Sequence, residues 1–171
     1  LYGQSIALGL FMGGLAIGSK IIASHLPKAR FPGRWYAVLE GLIGLFGMAS
    51  IFLLPLCEKL EGLHPLPDPW IAFLTACLFI LPPTIFMGGT FPALFKTLES
   101  RGPSASRSLS HLSSLYTINT LGALAGIAFV NYYGIPSLGM KNTLLLSALL
   151  NFAIFLLCWI FVKTPSRAAD K

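Results

Sequence analysis

Five long apolar stretches are the feature that most constrains how this chain can fold. One of them, residues 113–131, carries no charged side chain, and a helix of about 20 residues crosses the roughly 30 Å hydrocarbon layer of a bilayer. Only 11% of all residues are charged, whereas soluble domains carry about 25%. The strands of a β-barrel require apolar and polar residues to alternate, and they do not alternate within these stretches. The sequence therefore predicts an all-α, polytopic bundle of five transmembrane helices.

The apolar stretches and the prolines between them define the boundaries of these helices. We expect membrane helices at about residues 1–26, 35–57, 70–98, 112–133 and 142–163, which together form a single transmembrane domain over residues 1–171. The polar segments between them are only as long as loops, so we expect no soluble catalytic domain within this sequence.

The basic side chains lie in alternate loops, which predicts the orientation of the bundle. The loop 20–34 has four basic residues and no acid, whereas the loop 58–68 has one lysine and three acids. We therefore expect loops 20–34 and 96–111 and the C-terminus in the cytoplasm, in a multi-pass protein of the cell inner (plasma) membrane. This distribution explains the net charge of +6 without a nucleic-acid partner, and makes the lipid bilayer the expected partner.

Glycines four residues apart create helix faces on which another helix can pack closely. The predicted helix-packing residues are Gly9, Gly13, Gly14, Gly18, Gly122 and Gly126. The second helix has another thin face, where glycines recur every three residues at Gly41, Gly44 and Gly47.

The segments 10–18 and 118–126 both place a GxxxG pair in the second half of a helix, and the two helices run in opposite directions across the membrane. This pattern is typical of an inverted-topology repeat. It predicts a 3+3 arrangement that lacks its first helix, so we expect a further helix before Leu1.

The third apolar stretch contains residues that weaken a helix, because proline removes an amide donor and glycine loosens the backbone. Two interpretations are open: a kinked helix whose backbone groups find partners in neighbouring helices, or a broken helix that lines a polar cavity. The residues of this predicted helix break are Pro82, Pro83, Gly88, Gly89 and Pro92.

Four polar side chains inside the apolar stretches are candidate substrate-binding groups: Glu40, Tyr116, Asn119 and Thr120. Polar groups at membrane depth are costly unless they are paired, and they often mark functional sites. Glu40 could instead reach the interface and pair with Arg34 or with a lysine of the adjacent loop, and Asn119 could serve only to hydrogen-bond a neighbouring helix.

Four motifs, in the same order, resemble the membrane region of bacterial fused major-facilitator/spermidine-synthase-like proteins. They are the segments 9–19 (GLFMGGLAIGS), 39–46 (LEGLIGLF), 81–92 (LPPTIFMGGTFP) and 115–126 (LYTINTLGALAG). The resemblance implies a transporter-like membrane domain joined to a soluble aminopropyltransferase-like domain that acts on polyamines.

Two functions follow as hypotheses. In the first, the chain anchors the enzyme domain and binds or passes a small cationic amine. In the second, it is a purely structural anchor or assembly module, or half of a secondary transporter. The sequence contains no recognisable catalytic, metal-binding or cofactor-binding pattern, so we expect no enzymatic activity, metal or cofactor for this chain itself.

Overall fold

The structure is a computed structural model that describes residues 2–26, 31–61, 69–99 and 105–161, and its fold is all-α, as predicted. Two helices begin at a proline, which has no amide hydrogen to leave unpaired in the first turn and has a backbone angle that suits a helix. The elements are α1 (Tyr2–His25), α2 (Pro32–Glu61), α3 (Pro69–Glu99), α4 (Ala105–Phe129), a π-helical segment (Val130–Leu138) and α5 (Gly139–Phe161).

Within the described residues, four helical stretches, rather than the five predicted, are long and apolar enough to cross a membrane. The fourth and fifth predicted helices lie in one stretch of 52 residues, Ser110–Phe161. The short loop expected between them is wound into the π-helical segment, where the Asn131 side chain donates to the Ile127 carbonyl at 2.9 Å. Gly139, which follows the segment, has φ 77° and ψ 164°, so the backbone leaves helical geometry there.

Helix α3 continues from Pro69 to Glu99 through the prolines and glycines, so that of the two open interpretations the described backbone follows the unbroken helix. The Thr84 hydroxyl donates to the carbonyls of Ile80 (2.7 Å) and Leu81 (3.0 Å), in the turn that contains Pro82 and Pro83. Helix α1 packs directly on the same turn. Packing and local hydrogen bonds therefore support a helical path that the isolated sequence disfavours.

The helices pack in a chain of neighbours, with α1 on α3, α3 on α2, and α2 on α5. A small core forms where the last turn of α1, the first turns of α2 and the last turns of α3 meet. Leu26, Leu39 and Ala93 are buried there, and Ile22 and Phe86 pack around them. Helix α4 lies apart, since it contacts mainly the π-helical segment and touches α3 only slightly.

The outer surface of the described helices is strongly apolar. Phe52 and Trp70 are 75% and 72% exposed, and leucines and isoleucines are exposed along every helix. Soluble monomers rarely expose contiguous apolar surface on this scale. The four apolar stretches and this surface together indicate a protein embedded in a membrane.

Parts of the predicted loops 20–34, 58–68 and 96–111, and the residues after Phe161, lie outside the described residues.

Candidate functional site

Glu40 is a buried acidic side chain of α2. Its exposed fraction is 8%, and the Tyr36 hydroxyl, one turn earlier on α2, donates a hydrogen bond to its carboxyl group. The carboxyl group also interacts electrostatically with Cys158 of α5. A carboxylate shielded from water is costly unless it is paired, so the position favours an additional group of positive charge or a proton.

The glycines of α2 allow α5 to approach the site closely. A Cβ atom at Gly41 would lie 3.3 Å from the Phe155 ring, and one at Gly44 would lie 3.0 Å from the Ala148 carbonyl oxygen. Gly41 and Gly44, two of the three glycines of the thin face, lie against α5. This close contact places α5 against the part of α2 that contains Glu40.

Arg34, one of the partners considered for Glu40, points elsewhere. Its guanidinium carbon lies 5.2 Å from the centroid of the Phe31 ring and 5.2 Å from that of the Trp159 ring. Within the described residues Glu40 has no ion pair with Arg34, and the ion pair that the structure does contain, Lys96 to Glu99 at 2.8 Å, is exposed at the end of α3.

The other three candidate binding residues lie on α4 and are exposed. Tyr116 is 67% exposed, and the Thr120 hydroxyl donates to the Tyr116 carbonyl at 2.8 Å. Asn119 is also exposed. Since α2 packs on α3 and α5 whereas α4 stands apart, the structure does not bring these side chains together with Glu40.

The predicted packing glycines separate into two groups. A Cβ atom at Gly14 would overlap the Thr84 side chain of α3, and one at Gly18 would overlap the Ile85 carbonyl oxygen. In the described part of the chain, a Cβ atom at any of the other four would find nothing within 4 Å, and these positions are Gly9, Gly13, Gly122 and Gly126.

Gly88 and Gly89, predicted as part of a helix break, belong to the same α1–α3 contact. A Cβ atom at Gly88 would overlap the Leu15 carbonyl oxygen, and one at Gly89 would lie 2.5 Å from the Ile22 side chain. Pro92 lies within the helix, one residue before the buried Ala93. These two glycines thus lie where the backbones of α1 and α3 come close together.

The sequence did not lead us to Tyr36 as a partner of Glu40. The spacing of Tyr36 and Glu40, four residues apart on a predicted helix, places both on one face and was a usable signal. No comparable signal indicated the electrostatic interaction of Glu40 with Cys158, because it depends on how α5 packs against α2.

Among the described residues, no three His, Cys, Asp or Glu side chains come together as metal ligands would. No protein-family model, no curated protein and no solved structure matches this chain. Its function is therefore inferred from its own residues.

Proposed function

We propose that this chain is the membrane region of a spermidine-synthase-like fusion protein, which anchors a soluble enzyme domain and binds or passes a small cationic amine at Glu40. The observation that carries the binding part is the burial of Glu40, whose carboxyl group interacts with the Tyr36 hydroxyl. The four-motif resemblance supports the fusion part. In this proposal aminopropyl transfer belongs to the soluble domain, and the chain itself performs no catalysis.

A protonated amine supplies a positive charge and hydrogen-bond donors that can pair with the buried Glu40 carboxyl group. Its ammonium group offers several donors and one positive charge, so it can pair with the Glu40 carboxylate while the Tyr36 hydroxyl keeps its own hydrogen bond. The mutual attraction offsets part of the cost of holding each charge away from water. The aliphatic part of a polyamine suits apolar walls such as the Phe155 ring, which packs beside Gly41 one residue after Glu40.

We further propose that Ser110–Phe161 crosses the membrane twice, which gives five crossings in all. As one straight helix its 52 residues would measure about 78 Å, more than twice the roughly 30 Å hydrocarbon layer. The π-helical segment in its middle contains Asn131, Tyr132 and Tyr133, and tyrosines are enriched at membrane–water interfaces. The non-helical backbone at Gly139 then provides a point at which the chain can change direction.

The helix contacts also support a 3+3 inverted repeat in which the first helix is absent from this sequence. In that scheme α1 and α2 are the second and third helices of one unit, and α3, α4 and α5 form the other. The third helices of the two units, α2 and α5, pack on each other, and a two-fold relation would map this contact onto itself. The same relation maps the α1–α3 contact onto a contact between α4 and the absent helix, and α4 has an open glycine face at Gly122 and Gly126.

In this arrangement the loops 20–34 and 96–111 and the C-terminus face the cytoplasm of a bacterial cell, and the protein lies in its inner membrane. The excess of lysine and arginine in these segments supports that orientation.

The test compares Glu40→Gln with Glu99→Gln, a control that removes the same charge at an exposed position at the end of α3. Spermidine binding is measured by equilibrium binding of radiolabelled spermidine to the intact protein in nanodiscs. We expect Glu40→Gln to weaken binding about thirtyfold or more, because the ammonium group would lose a buried partner. Glu99→Gln should bind as the wild type does.

Aminopropyl-transfer activity of the same samples reports on the soluble domain separately, and we expect it to be equal in all three proteins. If Glu40→Gln bound spermidine as tightly as the wild type, Glu40 would not be the amine site. If the intact protein had no such activity, the fusion part of the proposal would fail while the binding result still stood.

The exposure of α4 favours the second function, a purely structural anchor or assembly module. An apolar helix with Tyr116, Asn119 and Thr120 on its free surface is suited to pack against another helix, with Asn119 as an interhelical hydrogen-bonding group. Under this function no spermidine binds in the membrane region, and Glu40→Gln and Glu99→Gln behave alike.

A further inference from the structure

A cleft lies between the first turns of α2 and the last turns of α5, separate from the Glu40 carboxyl group. Its volume is about 290 Å³, and its walls are almost entirely apolar. It is lined by Phe31, Arg34, Trp35, Val38 and Trp159.

The one charged group of this lining is the Arg34 guanidinium. Cation–π contacts with Phe31 and Trp159 orient it at 5.2 Å from each ring centroid. The Arg34 side chain is exposed, and no acidic side chain of the described residues forms an ion pair with it. The guanidinium therefore keeps its hydrogen-bond donors available for an anionic group from outside the chain.

The position of the cleft indicates where that anionic group comes from. Trp35 and Trp159 lie at the ends of two apolar helices, and tryptophan is enriched at the level of the lipid headgroups. Basic pockets between membrane helices bind anionic lipid headgroups. Val38 lies one turn beyond Arg34, further into the apolar stretch, and is 41% exposed, so the apolar wall continues from the headgroup level towards the hydrocarbon layer.

We propose that this cleft binds an anionic diacyl phospholipid, with its phosphate on Arg34 and one acyl chain along Val38 and the tryptophan rings. A free phosphate ion would use the guanidinium but leave the apolar walls in contact with water. A zwitterionic lipid would fill the walls but bring a second, positive charge near Arg34. The site requires only that the protein is embedded in a membrane, and does not depend on amine binding at Glu40.

The test is native mass spectrometry of the purified intact protein, titrated with dioleoyl-phosphatidylglycerol or dioleoyl-phosphatidylcholine. The wild type should bind the anionic lipid about fivefold more tightly, the effect expected of one basic side chain near a phosphate. Arg34→Gln should remove this preference. Lys20→Gln, which removes an exposed lysine from α1, is the matched control and should retain it.

A second variant tests the apolar part of the site while keeping the charge. Val38→Phe fills the cleft with a larger side chain and should weaken the binding of both lipids. Glycerol phosphate, the headgroup without its chains, should not displace bound phosphatidylglycerol at equal concentration.

Three results would overturn the proposal. One is an unchanged lipid preference in Arg34→Gln, another is an equal loss of preference in Lys20→Gln, and the third is displacement of the lipid by glycerol phosphate. Circular dichroism of each variant, compared with the wild type, verifies that its helices are intact.

Discussion

Replacing Gly18 with alanine should disrupt the contact between α1 and α3. A Cβ atom at this position would overlap the Ile85 carbonyl oxygen and lie 2.7 Å from its carbonyl carbon and 2.9 Å from its Cα. All three are backbone atoms, so a change of side-chain rotamer cannot relieve the overlap. Either α3 must move away from α1 or the local helix must distort.

The expected magnitude follows from a comparison with Gly9→Ala in the same helix. A Cβ atom at Gly9 meets nothing within 4 Å in the described structure, so this variant changes only the intrinsic helix propensity. The same propensity term, up to about 1 kcal/mol in favour of alanine, is present at Gly18 and cancels in the comparison. Overpacking of a tight contact costs about 1–3 kcal/mol, and rigid backbone neighbours place Gly18 at the upper end. We therefore expect the free energy of unfolding of Gly18→Ala to be about 3 kcal/mol below that of Gly9→Ala.

The measurement is reversible unfolding by sodium dodecyl sulfate in mixed micelles, followed by the fluorescence of the three tryptophans, of which Trp70 lies on α3. A difference of about 3 kcal/mol changes the unfolding equilibrium about 150-fold, which is well above the error of such curves. Equal unfolding of the two variants would refute the reasoning, because it would mean that the α1 backbone does not lie against Ile85 in the folded protein.

Two further variants test local features of the fold. Thr84→Val should lower the free energy of unfolding by about 1 kcal/mol in the same assay, since it removes a buried hydroxyl that donates to two carbonyls. Thr90→Val removes a hydroxyl at a less buried position and should have a smaller effect. Gly139→Ala should lower the free energy of unfolding by about 1–3 kcal/mol, because the φ of 77° at this position is unfavourable for alanine even though a Cβ atom would have open space. Gly126→Ala also places its Cβ atom in open space but lies within a helix, so it should not lower the free energy of unfolding.

Much of the secondary structure could be predicted because it depends on local sequence and on the solvent. A chain with so few charges can satisfy its backbone hydrogen bonds in a membrane by forming helices, so the apolar stretches were sufficient to predict an all-α fold. The helix ends were less predictable. Helix α2 begins at Pro32 and α4 at Ala105, both before the apolar residues that marked their expected starts, because polar residues extend a helix beyond its apolar part.

The separation of α4 from α5 shows where local signals were insufficient. Tyrosines, Pro136 and Gly139 indicated a loop, yet the structure winds most of this segment into a π-helix. Likewise, Pro82 and Pro83 left a kink or a break open, whereas contact with α1 accompanies a continuous α3. In both places proline and glycine indicate weak helical propensity, but the backbone stays wound, and α3 does so in close contact with α1.

The candidate site also combines features that the sequence predicts with features that depend on how the helices pack. Glu40 was identifiable because a carboxylate in an apolar stretch is unusual, and its partner Tyr36 lies one turn away on the same helix. Its electrostatic interaction with Cys158 could not be predicted, since it depends on the register of α5 against α2. For the same reason, sequence analysis grouped Glu40 with Asn119, although the structure places the two on helices that do not pack together.

The sequence by itself determined that the chain is helical and apolar and that an acidic residue lies within it, because these properties follow from residue type and spacing. Tertiary structure decided which features become contacts. The pairs Gly9/Gly13 and Gly14/Gly18 have the same spacing, yet only the second pair lies against α3 in the described structure. The physical reason is that the spacing of glycines makes close approach possible on a helix face, whereas the position of the neighbouring helix determines which face is used.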